Sequence, residues 1–331
     1  MGAAFLVSSL GWGLLLLVVG GCSGGADPAP AGPATVSVSP TRTASYSART
    51  QTVIAIENAD GLTAAGGALW VKTDDGRVVR IDPATNRTTG ELKLDTNSDP
   101  SDYCQGIGTD QAAVWACATT DQGTDVVKID PASRRIVRRV AVGKVFDQLA
   151  LPSTARGLWV LSGSDVNLVD QVTGRVTKYP LGVRCLQLAA SGELVVATSS
   201  TENAVIALDA GNGSVIARTT LPAPRLAAVS GSDIWVDTSD GLVRLSRELS
   251  VKAKYPSLGA GVGGDLVATP DAVWLRAGNG IITRLDPSTG QAVEQVAPDG
   301  QQITAGSMLI AYDSIWTTSG DEGTLTRLRL S

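Results

Sequence analysis

The chain of 331 residues contains no histidine. It therefore has no imidazole for a Ser-His-Asp or Cys-His catalytic arrangement, or for a zinc site that needs a histidine ligand. It also lacks a long run of lysine and arginine, and its formal net charge is −5, so we expect no nucleic-acid partner. These absences leave enzymatic activity uncertain and favour a protein that is not an enzyme.

Charged side chains are also missing from residues 3–19, which are mostly alanine, leucine and valine. This apolar run ends in the sequence VGGC (19–22), and small residues directly before a cysteine resemble the lipobox of bacterial lipoproteins. The resemblance implies a lipoprotein signal peptide over residues 1–21 and a lipid on Cys22, which would hold the chain on the outer side of the bacterial cell membrane. A plain secretory signal peptide or an uncleaved anchor is the alternative.

Residues 22–50 are rich in glycine, proline, alanine, serine and threonine, and they contain almost no large apolar side chain before Tyr46. Such a segment buries too little surface to offset the entropy lost on ordering. We therefore predict that residues 22–50 form a flexible tether.

A short apolar segment, usually with tryptophan at its centre, recurs seven times after the tether. Successive centres are 45, 44, 36, 40, 39 and 42 residues apart. The central residues are Trp70, Trp115, Trp159, Val195, Trp235, Trp274 and Trp316. Since each tryptophan has apolar neighbours, we interpret the set as packing between repeats rather than as a surface that stacks on a ligand.

A second strand-like segment follows the tryptophan segment and ends in a turn, as in VVRIDPATN (78–86) and ITRLDPSTG (282–290). The turn aspartates, including Asp82, Asp130 and Asp286, recur at one position, and aspartate there accepts hydrogen bonds from the backbone ahead of it. We interpret them as structural. Four antiparallel strands in about 40 residues make one blade of a β-propeller. The sequence thus predicts an all-β fold in which residues 51–331 form a seven-bladed propeller.

The two ends of this region predict how the ring closes. The final repeat ends after residues 324–330 without a fourth strand, and residues 52–56 alternate like a strand that belongs to no complete repeat. An unpaired sheet edge would expose backbone donors and acceptors. We therefore expect the N-terminal strand to complete the last blade.

The tryptophan strand followed by an R-I-D-P-x-T-G-like turn resembles the repeats of YVTN-type propellers and of the streptogramin lyase group. The resemblance covers roughly residues 51–331 and implies the fold. Streptogramin lyases use a histidine base and a bound magnesium ion, and a chain without histidine departs from that pattern. The resemblance therefore does not imply the lyase reaction.

Three cysteines follow Cys22. A hairpin between residues 103–108 and 113–118 would place Cys104 opposite Cys117, so we predict a disulfide between them, with two buried thiols as the alternative. Cys185 belongs to the fourth repeat and is expected to be unpaired.

Propeller geometry predicts where a ligand would bind. The loops before the innermost strands and after the tryptophan strands share one face around the central channel. Polar residues predicted on these loops are Asp102, Lys144, Asp147, Gln148, Arg184, Arg225, Arg276, Gln301 and Gln302. Arg184 and Arg225 lie in neighbouring repeats and could meet an anionic group. The acidic loop TDDG (73–76) matches no calcium-loop spacing, and we interpret it as a solvated turn.

Two functions fit this pattern. The first is a non-enzymatic binding or scaffold module, expected as a monomer, that presents a rigid propeller face at the cell envelope to a protein, peptide or glycan partner. The second is a lyase or hydrolase that uses carboxylates and a metal at the channel mouth. We predict no cofactor, no metal and no catalytic residue. Converging carboxylates would favour the enzyme, and a mixed or apolar rim would favour binding.

Overall fold

The computed structural model describes residues 32–96, 104–110, 112–145, 148–300 and 303–330. The predicted signal peptide (1–21) and Cys22 lie outside these residues. The described residues form seven sheets, each built around four antiparallel strands, in the arrangement of a β-propeller. The predicted fold class is therefore confirmed.

The first strands of neighbouring blades contact one another, and between blades 2 and 3 a bridge joins Ile107 to Ala150, so these strands surround the central channel. In the first four blades the strands, from the innermost outwards, are Ala59–Ala65, Ala68–Thr73, Arg77–Asp82 and Arg87–Lys93; Ile107–Thr109, Val114–Thr120, Gly123–Asp130 and Arg135–Gly143; Ser153–Thr154, Gly157–Ser162, Asp165–Val169 and Val176–Pro180; Gln187–Ser191, Leu194–Ser199, Ala204–Asp209 and Val215–Thr220.

Blades 5 and 6 carry a short additional strand on their outer edge, and blade 7 takes its outer strand from the N-terminal side of the chain. The strands are Ala227–Ser230, Asp233–Thr238, Gly241–Leu245, Val251–Tyr255 and the added Ala34–Thr35; Asp265–Ala268, Val273–Arg276, Ile282–Leu285, Ala292–Ala297 and the added Thr43–Ser45; Met308–Ala311, Ser314–Ser319, Thr324–Arg329 and Thr50–Ala55.

The repeat tryptophans pack the blades against one another. All six are at most 3% exposed. In five blades a basic side chain on the third strand covers the indole ring from the adjacent strand, at distances from 4.8 Å for Arg327 over Trp316 to 5.8 Å for Arg80 over Trp70. A cation over an indole face is favourable, so the arginine of the R-I-D-P motif and the tryptophan form one structural unit.

The turn aspartates are structural, as predicted. Oδ1 of Asp82 accepts a hydrogen bond from the Ala84 amide at 2.9 Å, and Oδ1 of Asp286 accepts one from the Ser288 amide at 2.8 Å. Backbone and side-chain donors of this kind lower the pKa of both carboxyl groups.

The N-terminal strand completes the last blade, as predicted. Thr52 pairs with Arg327, Val53 with Thr326 and Ala55 with Thr324, all antiparallel. Leu325 and Leu328, which lie on the partner strand, are fully buried. Strand pairing and side-chain burial therefore both join the two ends of the propeller.

Residues 33–50, which the sequence analysis assigned to the tether, contact the propeller. The strands Ala34–Thr35 and Thr43–Ser45 pair in parallel with the outer strands of blades 5 and 6. The helix Tyr46–Arg49 buries Tyr46, and Arg49 pairs with the buried Glu294. The contact differs from the expectation because backbone pairing needs no large side chain. Among the described residues no helix is long and apolar enough to cross a membrane.

Cys104 and Cys117 form the predicted disulfide, with a Cα–Cα distance of 6.0 Å. The predicted register of this hairpin is wrong, because Gly108 pairs with Trp115 and Ile107 with Ala116, a shift of two residues. Cys104 reaches Cys117 because the chain before Ile107 leaves the strand ladder. Cys185 is buried and free, and burial raises the pKa of its thiol to about 12, so it stays protonated.

Candidate functional site

The connections that lead into the innermost strands surround a cavity at one mouth of the channel. Its volume is about 320 Å³. Each of the seven blades contributes to the lining, which consists of Asp60, Gln105, Leu149, Leu186, Gln187, Ser200, Arg225, Leu226, Gly261, Val262, Gly263, Gly264, Ala305 and Gly306. The propeller therefore has a cavity on the face where the sequence analysis expected a ligand to bind.

A second, narrower cavity continues the channel below the mouth. It has a volume of about 110 Å³ and shares Leu149, Gln187 and Leu226 with the mouth cavity. Its other walls include Leu62, Leu188, Leu266 and Met308, which lie on the innermost strands. Below the mouth the channel is thus lined by aliphatic side chains together with the polar residues Gln187, Asp265 and Ser307.

The loop GVGG (261–264) forms part of the rim and carries an exposed apolar side chain. Gly261 and Gly263 have φ angles of +67° and +73°, which favour glycine. Between them, Val262 is 91% exposed. Val262 therefore presents an apolar side chain to the solvent at the rim of the cavity.

Two carboxyl groups form a hydrogen-bonded pair at the mouth. Asp60 opens the innermost strand of blade 1, and Asp74 follows the tryptophan strand of the same blade. Burial, the nearby negative charge of Asp74 and the hydrogen bond to Asp74 raise the pKa of Asp60 to about 7. Burial also raises the pKa of Asp74. Asp60 therefore shares a proton with Asp74 near neutral pH. This pairing corrects the interpretation of Asp74 as part of a solvated turn.

Arg276 is a buried residue that links backbone segments around the mouth. Its side chain is fully buried. Its guanidinium donates hydrogen bonds to four backbone carbonyls, those of Gly263 at 3.1 Å, Ala305 at 3.0 Å, Gly306 at 2.5 Å and Thr318 at 3.2 Å. These carbonyls belong to blades 6 and 7. Arg276 is therefore a clamp between two blades.

Asp265 stands below the rim, where its carboxylate accepts hydrogen bonds from the amides of Leu266 and Met308 at 2.8 and 2.6 Å. Burial raises the pKa of Asp265, and the charge of Arg276 acts in the opposite direction. The same guanidinium charge acts on Asp60. Arg276 thus stabilises the ionised forms of two buried carboxyl groups.

Arg225 contributes the guanidinium group in the described part of the cavity lining, and this group already forms an ion pair within the protein. Its Nη2 atom lies 2.7 Å from Oδ2 of Asp237, which is buried. The Ala260 amide also donates to Asp237, at 2.7 Å. The charge of Arg225 is therefore balanced within the protein, which makes it a weaker partner for an anion than the sequence suggested.

The structure separates the residues that the sequence placed on this face. Arg225 lines the cavity, whereas Gln148 and Arg276 are fully buried and bond to the backbone. Lys144 and Arg184 are exposed and are not among the lining residues. The other four predicted residues, Asp102, Asp147, Gln301 and Gln302, lie outside the described residues.

Asp60 and Gln105 line the cavity but were not predicted. Both occupy the position equivalent to Arg225, two residues before the innermost-strand residue that pairs with the residue after the central tryptophan (Leu62, Ile107 and Ala227). Gln105 Nε2 donates to Asp74 Oδ1 at 3.1 Å, which links blades 1 and 2 at the mouth. Within the described ranges no group of three or more Cys, Asp or Glu side chains is arranged to hold a metal ion. The lining mixes aliphatic and glycine residues with a few polar groups, among them the carboxyl group of Asp60, which suits the binding of a ligand with an apolar body and a polar end.

No family model and no curated protein matches the chain. Solved structures do match. Virginiamycin B lyase from Staphylococcus aureus has a TM-score of 0.67 at 12% identity and covers 85% of this chain and 99% of its own. The β-propeller domain of Cps50 (Swd1) from Myceliophteria thermophila has a TM-score of 0.65 at 15% identity, with 85% and 99% covered. BamB from Moraxella catarrhalis has a TM-score of 0.56 at 14% identity, with 82% of both chains covered. At these identities the similarity establishes the fold alone.

Proposed function

We propose that this chain is a non-enzymatic binding module that presents the channel-mouth face of its propeller to a protein partner at the bacterial cell envelope. The observation that carries the proposal is the cavity of about 320 Å³ whose lining draws on all seven blades. Such a site is preformed, so little conformational entropy is lost when a partner binds.

The composition of the face supports a protein partner. Val262, Leu149, Leu186 and Leu226 offer apolar contact area around a few polar groups, as the centre of a protein interface does. The exposed Val262 is positioned to bury its side chain against the partner. Similarity to Cps50 (Swd1) and BamB is consistent with a scaffold at the level of the fold.

The location is part of the proposal. The VGGC sequence (19–22) supports acylation of Cys22 after removal of residues 1–21. The residues between Cys22 and Pro33 would then connect the lipid to the propeller, since Pro33 is the first residue of the compact propeller unit. We expect the module to act as a monomer on this anchor.

Photo-crosslinking in intact cells tests the proposed face. Val262 and Val172 are matched sites, because both are exposed valines, at 91% and 81%. Val172 lies in the turn between the third and fourth strands of blade 3, on the face opposite the mouth. With benzoylphenylalanine at position 262, we expect a discrete protein adduct after irradiation, at least fivefold more abundant than with the same residue at position 172.

Fractionation of the same cells tests the anchor. The adduct is expected in the membrane fraction and is expected to leave it when Cys22→Ala is introduced. Equal adducts at positions 262 and 172, or no adduct at either, would contradict the proposed face. An adduct that stays in the membrane fraction without Cys22 would contradict the lipid anchor.

A further inference from the structure

One oxygen atom of the Asp60 carboxyl group has no hydrogen-bond partner among the described residues. Asp60 is 4% exposed and lines the mouth cavity, and the unpartnered atom is Oδ1. Burying an acceptor without a donor is unfavourable. A ligand that brings a donor to this carboxyl group would therefore remove an existing penalty, which makes Asp60 a polar anchor of the cavity.

The charges around Asp60 favour a cationic donor. Asp74 and Asp265 raise the pKa of Asp60, and Arg276 is the cation that acts in the opposite direction. The guanidinium of Arg276 already donates to four carbonyls and is absent from the cavity lining. The carboxyl charge at the mouth thus exceeds the positive charge that reaches it.

The groups around Asp74 do not supply the missing cation. The charge of Lys72 lowers the pKa of Asp74, while Asp75 acts in the opposite direction. Lys72 is fully buried, and its Nζ donates to the carbonyl of Thr73 at 3.0 Å and lies 3.9 Å from Asp95. Lys72 is therefore already bonded within the protein, and it is absent from the cavity lining.

The geometry of the acceptors favours an ammonium over a guanidinium. A guanidinium binds best when both oxygens of one carboxylate are available, and Asp60 shares a hydrogen bond with Asp74. The amide nitrogen of Gln105 donates to Asp74, which leaves Gln105 Oε1 as a second acceptor in the lining. An ammonium carries three donors on a compact group and can serve both acceptors.

The aliphatic part of the cavity lining favours a flexible apolar stem. Leu149, Leu186 and Leu226 line the cavity through which a ligand must pass to reach the buried carboxyl group. A chain of methylene groups packs well against leucine side chains and is narrow enough for a buried acceptor. These features together describe a primary amine on an alkyl chain.

We propose that the mouth cavity binds a primary alkylammonium group, whose nitrogen donates to the Asp60 carboxyl group in place of a proton. This inference rests on the proposed function and specifies the chemistry of the partner, a lysine side chain or a free alkylamine. The ligand arrives as a cation, and the displaced proton is released to the solvent. No covalent bond forms.

Calorimetric titration of the full chain in a nonionic detergent tests the proposal. The probes are N-acetyl-lysine methylamide for a peptide lysine, butylamine for a free amine, and N-acetyl-norleucine methylamide as the uncharged control. We expect the lysine probe to bind at least tenfold more tightly than the norleucine probe. Because the amine competes with a proton on Asp60, whose pKa is about 7, its affinity should be about tenfold higher at pH 8 than at pH 6. If the lysine probe binds more tightly than butylamine, the ligand is a peptide lysine. If butylamine binds more tightly, the ligand is a free amine.

Three variants complete the test. Asp60→Asn keeps the shape of the side chain. It is expected to lower the affinity for the lysine probe at least tenfold and to remove the pH dependence of that affinity. Asp74→Asn, at a less buried position, should weaken binding severalfold and keeps the test decisive if Asp60→Asn fails to fold. Asp240→Asn is the control, because Asp240 is exposed in another loop of the same face, and it should change the affinity less than twofold.

Equal affinity for the lysine and norleucine probes, or wild-type affinity in a folded Asp60→Asn variant, would overturn the inference. A crosslink from position 262 without amine binding would reject the amine site and leave the proposed function standing. Amine binding without any adduct at position 262 would support the amine site and reject the proposed function.

Discussion

Removing residues 1–57 is expected to lower the melting temperature of the propeller by about 10 °C or more, compared with removing residues 1–32. The longer deletion takes away the outer strand Thr50–Ala55 of blade 7 and the buried Ile56. It also uncovers Leu325 and Leu328 on the partner strand. Burying side chains of this size contributes about 1.5–3 kcal/mol each. The exposed sheet edge should also cause association.

A third truncation distinguishes the contribution of the closing strand to stability from that of residues 33–49. Removing residues 1–49 keeps the closing strand but loses Tyr46, which is fully buried, and the ion pair between Arg49 and Glu294. Its melting temperature should lie between those of the other two variants. Differential scanning calorimetry and light scattering measure both effects. If the variants that begin at residues 33 and 58 melt within about 2 °C of each other, the strand does not hold the ring closed.

Arg276→Ala is expected to destabilise the protein by about 3–5 kcal/mol, because it leaves buried carbonyls without a donor and Asp265 without its nearby cation. The loss should depend on pH. Burial raises the pKa of Asp265, and the pKa rises further without the guanidinium. A carboxyl group with a raised pKa in the folded state binds its proton more tightly than in the unfolded chain, so stability falls as the pH rises. We therefore expect a larger loss at pH 8 than at pH 5.

Two further variants test whether the destabilisation comes from the buried contacts of Arg276 rather than from the loss of any arginine of this blade. Arg284→Ala removes another arginine of blade 6, whose guanidinium lies 5.4 Å from the ring of Trp274 and 3.8 Å from the exposed Asp271. It should cost about 1 kcal/mol or less. Adding Asp265→Asn to Arg276→Ala should recover part of the stability at pH 8. Urea unfolding at both pH values measures the series, and a cost for Arg276→Ala no larger than for Arg284→Ala would show that Arg276 is not a clamp.

The blade count and the ring closure were predictable because each rests on local repetition. The tryptophan strand and the aspartate turn recur about every 40 residues. Residues 52–56 form a strand outside any complete repeat, and the last repeat lacks one strand, so the two were expected to pair. The cross-strand contact between the basic residue and the tryptophan, as between Arg244 and Trp235, was also present in the repeat motif.

The contacts of residues 33–50 were not predictable from composition. Short parallel strands such as Ala34–Thr35 form through backbone atoms and leave no hydrophobic pattern. Arg49 finds Glu294 far along the chain. The one signal was Tyr46, an aromatic residue at the end of a segment otherwise poor in large side chains. The predicted hairpin register was wrong for a related reason, because placing Cys104 opposite Cys117 assumed regular pairing up to Cys104, whereas the strand begins at Ile107.

The candidate site was predictable as a face but not as a set of side chains. Topology alone places the loops before the innermost strands around one mouth of the channel. Whether a side chain on such a loop turns into the cavity or into the protein depends on packing between blades, and Gln148 and Arg276 turn into the protein. Asp60 was missed because the significance of a carboxyl group depends on its neighbours in space, here Asp74 and Asp265.

A competition measurement tests the central claim most directly, namely that the partner binds the channel mouth through Asp60. Cells or membranes that carry benzoylphenylalanine at position 262 are irradiated with increasing N-acetyl-lysine methylamide or N-acetyl-norleucine methylamide. We expect the lysine probe alone to suppress the adduct, and the adduct to be weak and insensitive to the probe in the Asp60→Asn background. An adduct that is strong in both backgrounds and unaffected by the lysine probe would contradict this account.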